Sequence, residues 1–168
     1  MSVAKEFEKA NEKYSSNFTK GDLALPPSRH VAVLTCMDAR LDPARALGLE
    51  EGDSHVIRNA GGRATDGLRS LIISQKLLGT NEIVVIHHTD CGMLTFKDDE
   101  LKQQIKDEFK DKEHKNLTAD HIAFLPFSDL KQSVLDDVEF LKDSKYVNTD
   151  KISGYIYDVK TGKINPVI

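Results

Sequence analysis

Glu82-Ile83-Val84-Val85-Ile86-His87-His88-Thr89-Asp90-Cys91-Gly92-Met93-Leu94 is the stretch that decides the fold of this chain. It contains four apolar residues in a row, which predicts a short strand buried on both faces, as in parallel sheets. The strand runs into polar residues, and His88 and Cys91 fall in the turn at its carboxyl end. Open α/β sheets place their ligand sites at that end. An imidazole and a thiolate suit a divalent cation such as zinc, although two ligands do not complete a site.

Length and composition predict a single domain that spans residues 1–168. The chain has 168 residues, 39% of them hydrophobic, which is enough for one core and short for two. Its net charge of -4, with both signs interspersed, provides no basic face, so nucleic acid is not expected as a partner. The opening residues are charged and no apolar run reaches membrane-spanning length, so we expect a cytoplasmic protein that does not bind membranes.

A second predicted strand also ends in a reactive side chain. Residues 30–36 have the same apolar pattern and end at Cys36, one of only two cysteines in the chain. A lone disulfide with Cys91 is a weak expectation here, so metal binding or catalysis is the better interpretation. If the two strands are neighbours in a parallel sheet, Cys36 meets His88 and Cys91 at one edge. A Cys₂His set leaves the fourth tetrahedral position free, as in catalytic zinc sites.

Strands and helices alternate through the first half of the chain. Asp42 is predicted to cap a short helix, a third strand is expected at residues 55–58, and a helix is expected at residues 65–78, with Gly79 as its stop. This alternation predicts an α/β fold in which a mostly parallel central sheet is flanked by helices. Residues 153–164 predict two strands joined by a Lys-Thr-Gly turn, an antiparallel hairpin at the C-terminal edge of the sheet.

Residues 1–28 are predicted to form an amphipathic helix and a connector. Phe7, Tyr14 and Phe18 recur near helical spacing among Lys, Glu and Asn, and two prolines then stiffen the chain. The commoner arrangement for such a helix is to pack on its own domain. Aromatic side chains on an otherwise polar terminal helix also suit docking on a second subunit, so both interpretations stay open.

The region after Met93 is predicted to be peripheral. Residues 96–115 are crowded with charged side chains around one narrow apolar stripe, which predicts an exposed helix, with a lid over the site as the less favoured alternative. Residues 122–125 predict a further strand. Ser128 is expected to cap a helix in which apolar residues recur at helical spacing.

Two spaced motifs resemble those of a known enzyme family. Cys36-x-Asp38-x-Arg40 is followed some fifty residues later by His88-x-x-Cys91. Together with the Arg-Asn-Ala-Gly-Gly segment at residues 58–62, these residues resemble the β-class carbonic anhydrases, in particular the small members of the family. The resemblance implies zinc-dependent, reversible hydration of carbon dioxide to bicarbonate, that is, a lyase. It also implies an α/β subunit that assembles as a homodimer or a multiple of dimers.

The resemblance and the chemistry of the side chains predict a role for each residue. Cys36, His88 and Cys91 would hold one Zn²⁺ per chain, and zinc-bound hydroxide would attack carbon dioxide. Asp38 would accept a hydrogen bond from that hydroxide, and Arg40 would keep Asp38 ionised and turned away from the metal. Should this pair break, Asp38 could become the fourth ligand and close the site, a state known in the family. The sequence leaves open which state dominates.

The other histidines and two glycines are expected to be structural. Neighbouring residues of a strand face opposite sides, so His87 is predicted to be packed or hydrogen-bonded rather than a ligand. Gly61 and Gly62 are expected to let the backbone turn tightly beside the site. The remaining histidines are predicted to be structural or surface residues; they are His30, His55, His114 and His121.

Two other functions remain open. Some proteins that resemble this family hydrolyse carbon disulfide or carbonyl sulfide, and only the shape of the pocket would distinguish them. Alternatively, the chain is a non-enzymatic zinc or redox protein in which Cys36 and Cys91 store metal or form a disulfide. Part of the family binds regulatory bicarbonate in a pocket built partly from tryptophan. This chain has no tryptophan, so that type of regulation is not expected.

Overall fold

A computed structural model describes residues 2–109 and 119–168 and has a five-stranded sheet at its centre. The strands in chain order are β1 (Val31–Cys36), β2 (Ser54–Asn59), β3 (Glu82–His88), β4 (Ile152–Tyr157) and β5 (Ile164–Pro166). Their order across the sheet is β2-β1-β3-β4-β5, and all neighbours are parallel except β4 and β5, which are antiparallel. The predicted α/β fold with a C-terminal edge hairpin is therefore confirmed.

Helices connect these strands and cover the sheet. Within the described residues they are α1 (Val3–Ser15), α2 (Pro43–Leu47), α3 (Ala64–Leu78), α4 (Asp98–Phe109) and α5 (Leu130–Asp143). Short 3₁₀ turns lie at Ala60–Gly62, Gly92–Leu94 and Ala119–His121. Over the part of the chain that the structure describes, none of the helices is both long and apolar enough to cross a membrane.

Local signals in the sequence decide where the helices begin and end. Asp42 caps α2 as predicted, because its carboxylate accepts a hydrogen bond from the Arg45 N–H at 3.3 Å. Gly79 ends α3 as predicted, in the left-handed conformation with φ of 73°. The helix α5 begins one residue later than predicted because Asp129, rather than Ser128, accepts the N-capping hydrogen bond. Aspartate and serine are about equally good at this position, so the sequence alone could not choose between them.

The core between the sheet and two helices holds β1 and β3 side by side. Leu34 of β1 and Ile83 of β3 are fully buried against Leu71 of α3 and against Val138 and Leu141 of α5. Each such side chain contributes about 1.5–3 kcal/mol by leaving water. Because β1 and β3 are parallel neighbours in this core, their carboxyl ends lie together at one edge of the sheet.

The strand predicted at residues 122–125 is wrong. In this segment the Phe124 N–H donates to the Asp98 carboxylate at 2.9 Å, so its backbone bonds a helix end instead of a neighbouring strand. Leu125 has a φ of 59°, a left-handed conformation that no regular strand contains. A short apolar run can also belong to a loop that packs on the core, and periodicity does not separate the two.

The helix predicted at residues 96–115 is α4, which buries none of its side chains, as expected for an exposed helix. The last residues of that predicted helix, including His114, lie outside the described residues.

Candidate metal centre

Three side chains that the sequence places far apart meet at the carboxyl edge of the sheet. Cys36 is the last residue of β1, His88 is the last residue of β3, and Cys91 follows in the next turn. One potential ligand atom from each residue lies within 4.8 Å of the other two, and all three residues are buried. Among the described residues, Asp38 is not part of this group. The structure thus brings together the three predicted ligands and keeps Asp38 beside them.

His88 has one ring nitrogen engaged and one free. Its Nδ1 lies 2.9 Å from the Thr89 carbonyl oxygen, which can only accept, so Nδ1 carries the proton. Its Nε2 is buried and has no hydrogen-bond partner in the described part of the chain. A buried nitrogen without a hydrogen bond is unfavourable unless its lone pair has another partner, such as a metal ion. Nε2 is therefore the atom of His88 that could bind a metal, and the neighbouring Thr89 carbonyl fixes the tautomer this needs.

The two cysteines share one proton. Hydrogen bonding from Cys91 is the largest influence on Cys36 and, with further help from His88 and backbone N–H groups, lowers the pKa of Cys36 to about 4 against the opposing effect of burial. One of those N–H groups is that of Gly61, which lies 3.3 Å from the Cys36 sulfur. The same shared hydrogen bond, added to burial, raises the pKa of Cys91. Both cysteines are free of disulfide bonds, so both sulfurs are available to a metal.

The charge of His88 also depends on pH, and its pKa is shifted by its surroundings. Burial lowers the pKa of His88, but its interactions with Cys36, with the Thr89 carbonyl and with Asp38 outweigh that effect. The net result is a pKa above the ordinary value for histidine.

Asp38 and Arg40 form the pair that the sequence predicts. Arg40 Nε donates to Asp38 Oδ1 at 3.0 Å and Arg40 Nη2 donates to Asp38 Oδ2 at 2.8 Å, a two-pronged contact. These hydrogen bonds are the main reason that the pKa of Asp38 lies well below its usual range. Asp38 Oδ2 lies 3.8 Å from His88 Nε2, so an ionised carboxylate faces the ligand set while Arg40 holds it. The structure therefore shows the Asp38–Arg40 pair intact.

Two further residues contact this pair, and sequence reasoning did not assign them. Arg58 donates to the Cys36 carbonyl at 3.0 Å and to the Asp38 carbonyl at 2.7 Å. It stands opposite Thr35 in the register of β1 and β2, so the order of the strands would have pointed to it. Asp90 accepts two hydrogen bonds from Arg40, one through its carboxylate and one through its carbonyl. In the sequence, only its position inside the His-x-x-Cys motif indicated that Asp90 lies near the site.

Glycines let two backbone segments meet beside Cys36. Gly61 and Gly62 have φ of 81° and 70°, which only glycine adopts readily. A Cβ on Gly62 would lie 3.1 Å from the backbone nitrogen of Cys36, closer than side chains normally approach. Their predicted role as a tight turn beside the site is confirmed.

His87 faces away from the ligand set, as its place in the strand predicts. It is completely buried; its Nδ1 lies 2.7 Å from Ser133 Oγ and its Nε2 lies 3.1 Å from Asp137 Oδ2. Asp137 also pairs with Arg63 at 3.2 Å. The ring of Phe127 stacks on His87 with centroids 5.5 Å apart. His87 is thus a hydrogen-bonded core residue, as predicted.

Of the four other histidines, the structure describes three. His30 lies 3.1 Å from the Gly79 carbonyl and His55 lies 2.7 Å from Ser74 Oγ, so both bind neighbouring structure rather than the site. His121 is exposed, and His114 lies outside the described residues.

Known proteins are similar to this chain in sequence and in fold. A sequence profile of the carbonic anhydrase family matches residues 31–164. Beta-carbonic anhydrase 1 of Mycobacterium tuberculosis is 44% identical over 171 residues, 99% of each chain. The structure of a carbonic anhydrase from Glaciozyma antarctica has a TM-score of 0.92 at 51% identity and covers 100% of both chains. A carbon disulfide hydrolase of Saccharolobus solfataricus is 36% identical over 177 residues, which cover 93% of this chain and 84% of that protein.

Proposed function

This chain belongs to the β-class carbonic anhydrase family, and from that membership we propose that it catalyses the reversible hydration of carbon dioxide to bicarbonate with one zinc ion per chain. The observation that carries the proposal is the ligand set itself. Two cysteine sulfurs and a ring nitrogen of His88 lie within 4.8 Å of one another in a buried position, and His88 Nε2 has no hydrogen-bond partner among the described residues. This donor set is one that zinc prefers, and with three protein ligands it leaves a fourth position for solvent or substrate.

Each residue of the set contributes to holding the metal in a defined way. Cys36 provides a thiolate that is already ionised at neutral pH, since its pKa is about 4. Cys91 provides a second sulfur after losing its proton, and His88 provides Nε2 in the tautomer that the Thr89 carbonyl imposes. When bound, zinc would supply a hydroxide nucleophile at neutral pH by lowering the pKa of a water molecule from its bulk value towards about 7.

Asp38 and Arg40 are proposed as the catalytic pair. Asp38 stays ionised because Arg40 lowers its pKa, and its Oδ2 faces the ligand set at 3.8 Å from His88 Nε2. From there the carboxylate can accept a hydrogen bond from a solvent molecule in the site and so orient the oxygen that attacks carbon. Arg40 keeps the carboxylate in this orientation and prevents it from turning to the ligands itself.

The test combines metal content with turnover. Purified protein should contain zinc near one per chain with both thiols protected, and should hydrate carbon dioxide in a stopped-flow assay at alkaline pH. Cys36→Ser and Cys91→Ser variants should lose both properties. Negligible hydration by fully zinc-loaded protein would overturn the proposed activity. Protein that takes up no zinc under reducing conditions would overturn the metal site and favour a non-enzymatic redox role for the two cysteines.

Hydrolysis of carbon disulfide is the second candidate function. It is supported by the 36% identity to a carbon disulfide hydrolase, whose substrate is linear like carbon dioxide. The carbonic anhydrases compared above share more of this sequence, at 44% and 51% identity, and this favours carbon dioxide. The two substrates should be assayed on the same zinc-loaded preparation. Hydrogen sulfide release from carbon disulfide without carbon dioxide hydration would select the second candidate.

We also propose that the chain is one domain that self-associates as a homodimer through α1. No residue of α1 is buried, and Phe7 and Tyr14 are 68% and 53% exposed, so most of its aromatic surface is left uncovered in the monomer. The sheet face opposite α3 and α5 offers a groove lined by Val31, Val84 and Tyr155. The apolar face of α1 from a second copy matches such a groove, and its burial would favour association.

The proposed compartment is the cytoplasm. Cys36 and Cys91 are free thiols that lie side by side, and a metal site of this kind requires them reduced. A reducing compartment keeps such a pair from forming a disulfide. Fractionation of cells that express a tagged chain would test this placement.

A further inference from the structure

Arg40 is held from two sides, and only one side is Asp38. Its guanidinium donates twice to the Asp38 carboxylate, and it also donates to Asp90 Oδ2 at 2.6 Å and to the Asp90 carbonyl at 2.9 Å. Arg40 is 47% exposed, so a single exposed ion pair with Asp38 would hold it only weakly. Contacts at both ends of the guanidinium restrict its rotamers far more than one pair does.

Asp90 reaches Arg40 from an unusual backbone conformation. Its φ of 55° is left-handed, which few residues other than glycine, asparagine and aspartate adopt. In this conformation both its carboxylate and its own carbonyl contact one guanidinium. Asp90 directly precedes Cys91, so the turn that returns the second sulfur to the ligand set also presents Asp90 to Arg40.

We propose that Asp90 is a positioning residue that locks Arg40, and through Arg40 keeps Asp38 from turning onto the metal. This inference rests on the proposed function, because it assigns Asp90 a part in the same site. Asp90 is not one of the three grouped ligand residues, it accepts its hydrogen bonds from Arg40, and its side chain is 75% exposed. Without the Asp90 side chain, Arg40 gains freedom to leave Asp38. Asp38 Oδ2, already 3.8 Å from His88 Nε2, is then free to become a ligand.

Two substitutions separate the side chain of Asp90 from its backbone. Asp90→Gly removes the carboxylate and tolerates the left-handed conformation. Asp90→Asn also tolerates it and retains an oxygen that can accept from Arg40 Nη1. Asp22→Gly, in an exposed turn remote from the site, is the matched control. All three proteins should retain zinc near one per chain.

The first readout is activity. In Asp90→Gly, kcat/KM for carbon dioxide should fall by about 10-fold or more, the usual effect of removing a group that orients a metal site. Asp90→Asn should recover most of this loss, and Asp22→Gly should match the parent protein.

The second readout does not depend on turnover. Thiocyanate binding to the cobalt-substituted protein, followed by visible absorption, reports whether the fourth position is free. Its apparent Kd should rise in Asp90→Gly by about the same factor as the loss of kcat/KM, since apparent affinity scales with the fraction of open sites. Asp90→Asn should again lie close to the parent protein.

The possible outcomes separate the inference from the proposed function. Parent-like values for Asp90→Gly in both measurements would overturn the inference, and so would loss of zinc in that variant, which would mean that Asp90 only shapes the turn at Cys91. Failure of Asp90→Asn to recover would also overturn the inference, because it would show that the charge of residue 90, and not the position of Arg40, matters. If the parent protein does not hydrate carbon dioxide but thiocyanate still binds Asp90→Gly more weakly, the function fails and the role of Asp90 stands.

Discussion

Cys36 and Cys91 differ in acidity mainly because of the hydrogen bond between them. Cys36 receives hydrogen bonds from Cys91 and from the Gly61 N–H, so its thiolate is stabilised and its pKa is about 4. Cys91 keeps the shared proton, and its pKa is raised. The pKa values of two identical side chains are thus shifted in opposite directions, a difference that a count of cysteines cannot show.

Zinc affinity should therefore increase with pH through the neutral range. Cys36 is ionised throughout this range and adds no dependence, whereas Cys91 and, below its raised pKa, His88 must lose protons before they can bind. Each proton released raises the affinity about 10-fold per pH unit. Competition with a chelator of known affinity at pH 6, 7 and 8 measures the slope. An affinity that is flat across this range would contradict the shared proton.

Asp38→Asn should separate metal binding from turnover. The variant keeps the shape of the side chain but removes the charge that Arg40 grips and the acceptor that faces the site. We expect unchanged zinc content and a loss of kcat/KM of about 100-fold, the scale of a positioned proton acceptor. Asp42→Asn is the matched control, since asparagine caps a helix as well as aspartate does. Full activity of Asp38→Asn would remove Asp38 from the mechanism.

Between elements, β4 and α5 approach each other closely at Gly154. Gly154 in β4 lies so near α5 that a Cβ would come within 2.5 Å of Val134 Cγ1 and 3.1 Å of Val138 Cγ2. This approach lets α5 cover β3 and β4 together, and it buries Val134 and Val138 completely. The same packing supports His87 through Ser133 and Asp137, which also lie on α5. The helix α5 therefore packs against β3, the strand that carries His88.

Gly154→Ala should destabilise the fold without removing the metal site. The added methyl group overfills the contact between β4 and α5, which typically reduces the free energy of unfolding by about 1–3 kcal/mol. The urea midpoint should fall, while zinc content at low denaturant stays near one per chain. Gly21→Ala is the control because a Cβ there meets nothing within 4 Å. Equal midpoints for the two variants would contradict this account of the packing.

At the scale of the whole molecule, the two faces of the sheet are not equally covered. The helices α3 and α5 bury one face, and the opposite face carries the groove of Val31, Val84 and Tyr155. The helix α1 contacts the rest of the chain through polar groups such as Tyr14, whose hydroxyl lies 3.3 Å from Glu51. One subunit of a dimer would present an amphipathic helix without buried residues and an open groove such as this one, whose lining also includes Arg29 and Glu82.

Deleting residues 1–18 should weaken self-association. Sedimentation velocity should show a shift towards monomer over a concentration series, because the aromatic face of α1 no longer contributes apolar area. A full-length chain with Phe7→Ser should show a smaller shift in the same direction, and Lys9→Ser, on the same helix, should show none. An unchanged sedimentation profile after the deletion would argue against α1 as the dimer contact.

Much of this molecule was predictable from the sequence because its signals are local. The apolar runs of β1 and β3 predicted buried strands, and Cys36 and His88 at their ends predicted the ligand edge, since parallel strands must bring equivalent ends together. Caps such as Asp42 and Gly79 acted within a few residues of their own position. The spaced motifs around Cys36 and Cys91 likewise predicted the family that the comparisons confirmed.

Other features depended on the tertiary structure because they join segments distant in the chain. Three interactions form only when β1, β2 and β3 lie side by side. They are the hydrogen bond between Arg40 and Asp90, the hydrogen bond from Arg58 to the Cys36 carbonyl, and the hydrogen bond between the two cysteines. The segment at residues 122–125 became a loop because its backbone bonds Asp98 of α4. The sequence alone determined which residues could bind a metal. Packing decided which hydrogen bonds set their charge and orientation, because those partners come from strands and turns that only the folded sheet brings together.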